Sequence, residues 1–164
     1  MNSYNPAHLP NDLNVWLQSR YMSTISAVEG GWEYWMQIDF MAWLNTRQKD
    51  PYDVRREVPM GPYRADLFLN RGPDGEEPAL RVFPPCWVEI KAQGAKYLNE
   101  KFKVDVQADI DKMAGAGVPC EQYMLVALSD GNLTRDPMFA RGSGYGFVWQ
   151  DAYTGVVVLL KRTA

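Results

Sequence analysis

Cys86-Trp87-Val88-Glu89-Ile90-Lys91-Ala92-Gln93 reads as a strand from the middle of a sheet, and the remaining elements are placed outward from it. Side chains alternate faces along a strand, so Trp87, Glu89, Lys91 and Gln93 share one face while Val88, Ile90 and Ala92 take the other. A carboxylate and an ammonium beside a Trp, in so apolar a run, are costly to bury unless they pair or bind a metal. Upstream, Tyr63-Arg64-Ala65-Asp66-Leu67-Phe68-Leu69 offers a second strand whose only acid is Asp66. An acid on one strand, followed by Glu-x-Lys on its neighbour, makes a divalent-metal site with a lysine beside it. That combination suits phosphodiester cleavage.

The flanking segments supply a sheet and its helices. Before Asp66, Arg56-Glu57-Val58-Pro59 runs through the turn signal Met60-Gly61-Pro62, so the Asp66 strand is the second arm of a hairpin. Further upstream, apolar residues at 32, 35, 36, 40, 43 and 44 follow helical spacing, giving an amphipathic helix with an aromatic stripe, preceded by Gly30-Gly31 and ended by Asn45 to Pro51. Residues 1–12 read as an irregular arm, and Asn11 or Asp12 caps a short helix through Leu13, Trp16, Leu17 and Tyr21. Asn70 to Gly75 reads as a loop and Leu80 to Phe83 as a short strand before the Pro84-Pro85 break. Downstream, Val104, Val106, Ile110 and Met113 mark a second helix over 104–114, closed by Gly115 and Gly117, and Glu121 to Leu128 a further strand. Gly131 to Gly144 is loop, and Phe147 to Trp149 with Val156 to Leu160 make a closing hairpin. The expected class is α/β: one domain over 1–164, a central mixed β-sheet flanked by helices, with a C-terminal β-hairpin.

Composition narrows the function classes. At 164 residues, 46% hydrophobic and 23% charged, the chain can bury a substantial core. Cys86 and Cys120 make neither a disulfide framework nor a zinc site, and reduced thiols in a cytoplasm are the expectation. No stretch is apolar enough to span a bilayer, so no membrane partner is expected. His8, the single histidine, lies in the arm, which excludes histidine-dependent triads. The net charge of −3 counts against a dedicated high-affinity nucleic-acid binder. The charge is uneven, however: Lys91 to Lys103 holds four lysines and one acid, and Arg47 to Arg71 six basic residues and four acids. Asp105, Asp109 and Asp111 lack the spaced loop of a calcium site, and Gly142 to Gly146 lacks the lysine of a phosphate-binding loop.

The acid-bearing helix, the hairpin ending in Arg64-Ala65-Asp66-Leu67, the strand Val88-Glu89-Ile90-Lys91, and the helix and strand after it together resemble the PD-(D/E)xK nuclease superfamily, over roughly Gly31 to Leu128. The resemblance implies a restriction-endonuclease-like core in which Asp66, Glu89 and the Ile90 carbonyl hold Mg²⁺ or Mn²⁺. By the same likeness Lys91 positions or helps deprotonate the attacking water and stabilises charge on phosphate. Glu33 is implied as a second metal ligand or an orienter of Lys91, with Glu29 and Asp39 as rival helical acids. Gln93 and Gln37 would be supporting residues, and Lys96, Lys101, Lys103 and Arg64 would contact nucleic acid. Ala65 stands where the family's nominal Pro would be.

The expected activity is Mg²⁺-dependent phosphodiester hydrolysis by a nuclease, with DNA as substrate and endonucleolytic action. RNA and exonucleolytic action stay open, as does homodimerisation. Two other readings compete: a catalytically inactive nuclease-like binding or assembly module, and a nuclease toxin neutralised by an inhibitory immunity protein. For Glu89 and Lys91 themselves the plain alternative is a structural ion pair on a half-exposed strand, and for Glu33 a helix N-terminal acid favoured by the macrodipole.

Overall fold

A computed structural model describes residues 2–20, 32–47, 52–72, 82–94 and 96–164. Its centre is a six-stranded sheet built from β1 (Val54–Met60), β2 (Tyr63–Leu69), β3 (Cys86–Ala92), β4 (Glu121–Leu128), β5 (Tyr145–Gln150) and β6 (Val157–Arg162), in the order β1-β2-β3-β4-β6-β5. β3 and β4 are parallel and the other neighbours antiparallel, so the sheet is mixed. Two adjacent parallel strands need a crossover. α3 (Asn99–Gly115) provides it, flanked by the segments on either side.

β3 is buried at every position except Lys91, the signature of a strand covered on both faces. On the face of Val88, Ile90 and Ala92 the core takes Leu67, Leu69, Leu125 and Ala127, together with α1 (Leu9–Gln18) and α2 (Trp32–Thr46). On the face of Trp87 it takes Phe68, Met124, Val126 and Leu159 with Phe102, Val106 and Met113 of α3. The architecture is three-layered, helix–sheet–helix, and among the described residues no helix is long and apolar enough to cross a membrane.

Most predicted elements are present: β2, β3, β4, both main helices and the closing hairpin. The β1–β2 turn uses Gly61 at φ +65° ahead of Pro62, the positive φ that a two-residue hairpin loop demands at its first position. The aromatic stripe of α2 buries Trp32, Met36, Phe40 and Leu44, and Trp16 of α1 stacks on Trp35 at 5.5 Å. The N-terminal segment differs from an irregular arm. Pro6–His8 forms a 3₁₀ turn, α1 begins at Leu9 with Pro10 in its first turn, and Tyr4 is buried because Asn70 brackets both its N–H and its carbonyl. In α3 the apolar stripe runs through Phe102, Val106 and Met113, while Val104 is exposed. Val82 and Phe83 form a bend; Leu80, with Tyr21, Glu29, Gly30 and Gly31, lies outside the described residues. The closing hairpin joins the sheet through its second strand, so β6 sits between β4 and β5.

Candidate active site

The site forms where β2 leaves β3. Their antiparallel register pairs Leu69 with Cys86, Phe68 with Trp87 and Leu67 with Val88. One step further this register sets Asp66 against Glu89, on the face already carrying Phe68 and Trp87. Along β3 the main-chain polar groups alternate sides: Gln93 N–H reaches Ala127 of β4 at 2.8 Å, so those of Ile90 and Ala92 face the β2 side. A buried amide N–H needs an acceptor. Asp66 Oδ2 accepts from Ile90 N at 2.7 Å, and Glu33 Oε2 accepts from Ala92 N at 3.3 Å. Two carboxylates thus replace the ladder that β2 no longer supplies. The Ile90 carbonyl, on the same side of the chain as its N–H, faces the same opening.

Glu33 lies in the first turn of α2, which Trp32 fastens to the end of β3 by donating from Nε1 to the Gln93 carbonyl at 3.0 Å. Its Oε1 is 3.5 Å from Lys91 Nζ, which also sits 3.1 Å from Asp109 Oδ2 of α3. Glu33 and Asp109 thus both lie within ion-pair distance of Lys91. The rival acid Asp39 accepts from Trp16 Nε1 at 2.7 Å and pairs with Arg20, joining α1 to α2.

Glu89 is 3% exposed. Its Oε2 accepts from Trp87 Nε1 at 2.8 Å, and its Oε1 pairs with Lys112. Lys112 is 3.3 Å from Asp109 Oδ1, so Asp109 stands between the two lysines. Neither Asp109 nor Lys112 was anticipated from the sequence. The available signal was an acid and a lysine three residues apart, near the stripe where α3 turns Val106 and Met113 inward.

Four carboxylates (Asp66, Glu89, Glu33, Asp109) face two ammoniums (Lys91, Lys112), a formal charge of −2 with every group ionised. Burial, and then the Glu89 charge, push the Asp66 carboxyl up to about 8, against the pull of the Ile90 N–H and of Lys112. Burial also raises Glu89, opposed by Lys112 and the Trp87 N–H. For Lys91, burial favours the neutral amine, but Glu33, Asp109 and Asp66 outweigh it and the pKa rises, keeping it an ammonium.

The backbone beside Asp66 is strained. β1 pairs Arg56 with Leu67 and Val58 with Ala65, leaving Glu57 opposite Asp66 at φ +51°, a left-handed conformation unusual for a non-glycine residue.

The other anticipated residues are placed elsewhere. Gln93 is buried and structural: Oε1 accepts from the N–H groups of Ser129 and Asp130, and Nε2 donates to the Tyr97 carbonyl and Asn99 Oδ1. Gln37 accepts from Arg56 at 3.4 Å. Lys101 pairs with Asp105, Lys103 with Asp136 and Glu100, and Arg64 lies 3.9 Å from Glu57. Lys96 is exposed on the turn before α3.

A hard dication needs oxygen donors. Asp66 Oδ1 has no hydrogen-bond or ion-pair partner among the described residues, and the Glu89 charge acts on the Asp66 carboxyl. Among the described residues no three acidic, histidine or cysteine side chains converge to hold an ion by themselves. Two carboxylates, Asp66 and Glu89, and the Ile90 carbonyl would be the oxygen donors to Mg²⁺, with water completing its shell. Comparison of this chain with protein-family models, with curated proteins and with solved structures finds no match.

Proposed function

We propose that this chain is a Mg²⁺-dependent nuclease of PD-(D/E)xK type that hydrolyses nucleic-acid phosphodiesters, with DNA as the expected substrate. The observation that carries the reading is Asp66 beside Glu89 at the opening between β2 and β3, inside a half-buried cluster whose formal charge is −2 with every group ionised. A dication would offset that excess and favour the ionised form of Asp66, whose carboxyl is raised by burial and by the Glu89 charge.

Asp66, Glu89 and the Ile90 carbonyl would hold Mg²⁺, which when bound polarises a phosphoryl oxygen and acidifies a water. Trp87 fixes the Glu89 carboxylate by donating to Oε2. A lysine acts as general base only when its pKa is depressed towards neutrality. Lys91 is shifted the other way, so its work is electrostatic: a charged ammonium, held by Glu33 and Asp109, that stabilises negative charge growing on phosphate. The test is nicking of supercoiled plasmid with Mg²⁺, and its loss in Glu89→Gln and Lys91→Met at unchanged far-UV circular dichroism. Undiminished cleavage by both variants would remove the assignment.

A second reading is a folded binding module that has lost hydrolysis. The Lys112 ammonium already on Glu89 favours it, because that pair neutralises one ligand without any ion. This reading requires no cleavage and no Asp66-dependent stabilisation by Mn²⁺.

A further inference from the structure

We propose that Lys112 is the resident counter-ion of the metal site: its ammonium holds Glu89 Oε1 in the metal-free protein, and Asp109 receives it when a divalent cation takes that oxygen. The inference rests on the metal-site reading above and adds what sets the affinity of that site.

Both Glu89 oxygens are engaged, but by partners of different mobility. Trp87 is fully buried, and its indole is fixed two residues away on the same strand, so its N–H cannot follow a moving charge. Lys112 is an ammonium on a flexible four-carbon stem, its side chain 21% exposed. A second carboxylate oxygen, Asp109 Oδ1, already lies 3.3 Å from its Nζ, and the Arg64 carbonyl lies 3.5 Å away. Residues three apart on a helix are surface neighbours, so Asp109 stays within reach after Lys112 swings off Glu89. Side-chain rotation alone completes the transfer, and no buried charge is left unpaired. Asp109 also holds Lys91 through Oδ2, so one acid serves both ammoniums.

The cation and Lys112 therefore compete for one oxygen, and removing the competitor tightens metal binding. Lys112→Met keeps the stem and deletes the charge. Titrated with Mn²⁺ by isothermal calorimetry, this variant is expected to bind at least about tenfold more tightly than the wild-type chain, since a unit charge within a few ångströms of the ion is gone. Asp66→Asn should abolish binding in both backgrounds. Equal or weaker binding by Lys112→Met overturns the inference and leaves the metal site standing; absence of Mn²⁺ binding in both proteins overturns the two together.

A measurement on the wild-type chain covers the case in which Lys112→Met does not fold. Reductive methylation followed by mass spectrometry should modify Lys112 several-fold faster with Mg²⁺ than with chelator, while exposed Lys101 reacts at one rate throughout. A Lys112 rate unaffected by Mg²⁺ overturns the proposal.

Discussion

Replacing Asp66 by Asn should make the metal-free protein more stable at neutral pH, and the size of the gain follows from the site. The Asp66 carboxyl has an ordinary value of 3.8 and is pushed up to about 8 in the folded chain by burial and by Glu89. The shift is opposite to that of a salt-bridged carboxylate, so its sign in stability is opposite as well. Between pH 4 and 8 the unfolded chain releases a proton that the folded chain keeps, and folding weakens by about 1.4 kcal/mol per pH unit over that window. At pH 7 the ceiling is about 4 kcal/mol. Asn keeps an oxygen for the Ile90 N–H but brings an amide N–H₂ that needs a partner, which costs about 1–2 kcal/mol. The net expectation is about 2–3 kcal/mol, or roughly 5–10 °C in Tm for a chain of this size. Guanidinium denaturation in chelator at a series of pH values measures it. The gain should be full at pH 8, shrink through pH 6, and vanish or reverse by pH 4, where the unfolded chain takes up the proton that the folded chain already holds. Mn²⁺ at pH 7 should then stabilise the wild type and leave Asp66→Asn unchanged. An Asp66→Asn protein less stable than wild type at pH 8, or a difference independent of pH, would refute the argument that two carboxylates crowd one buried opening.

Gln93→Ala should destabilise by about 2–4 kcal/mol in denaturant titrations, because four part-buried hydrogen bonds linking β3, α3 and the end of β4 lose their common partner. Glu57→Gly should be tolerated, whereas Glu57→Val should cost about 1–2 kcal/mol in Tm-derived stability, since a β-branched residue resists φ +51°. Glu33→Gln keeps an acceptor for the Ala92 N–H but frees Lys91 from one carboxylate; plasmid nicking should slow about 10–100-fold at unchanged far-UV signal.

Those elements were legible in the sequence whose signal is local. β4 was expected at Glu121 to Leu128 and occupies those residues, because an apolar run bounded by turn signals declares itself. β3 follows from its alternation and β2 from the turn signal before it, but the register that puts Asp66 on the face of Glu89 is set by the pairing of the two strands. Placements that depend on distant partners were not legible. Tyr4 is buried because Asn70, far along the chain, takes up its main-chain groups. Gln93 shares a strand face with Lys91, yet it is consumed by loops that periodicity does not place. Asp109 and Lys112 carry no local signal, because helical spacing marks only the apolar stripe of α3, although a crossover helix lying on its own strand must bring part of its polar surface to the strand's polar groups.

The acids of the site serve the fold and the chemistry at once, and this governs how they are to be tested. Past Val88, β3 loses β2 as a partner, and the N–H groups of Ile90 and Ala92 would be orphaned if Asp66 and Glu33 did not accept from them. Alanine at either position removes the acceptor as well as the charge, at about 1–3 kcal/mol for a buried unsatisfied N–H. An inactive Asp66→Ala protein therefore says little about metal chemistry, because the strand edge itself has been disturbed. The amide substitutions keep an oxygen at each N–H and remove the charge, adding only an amide N–H₂ that needs a partner. If Asp66→Asn folds with a higher Tm, loses Mn²⁺ binding and no longer nicks DNA, the carboxylate is kept against the interest of stability. That is the pattern expected of a residue retained for what it binds.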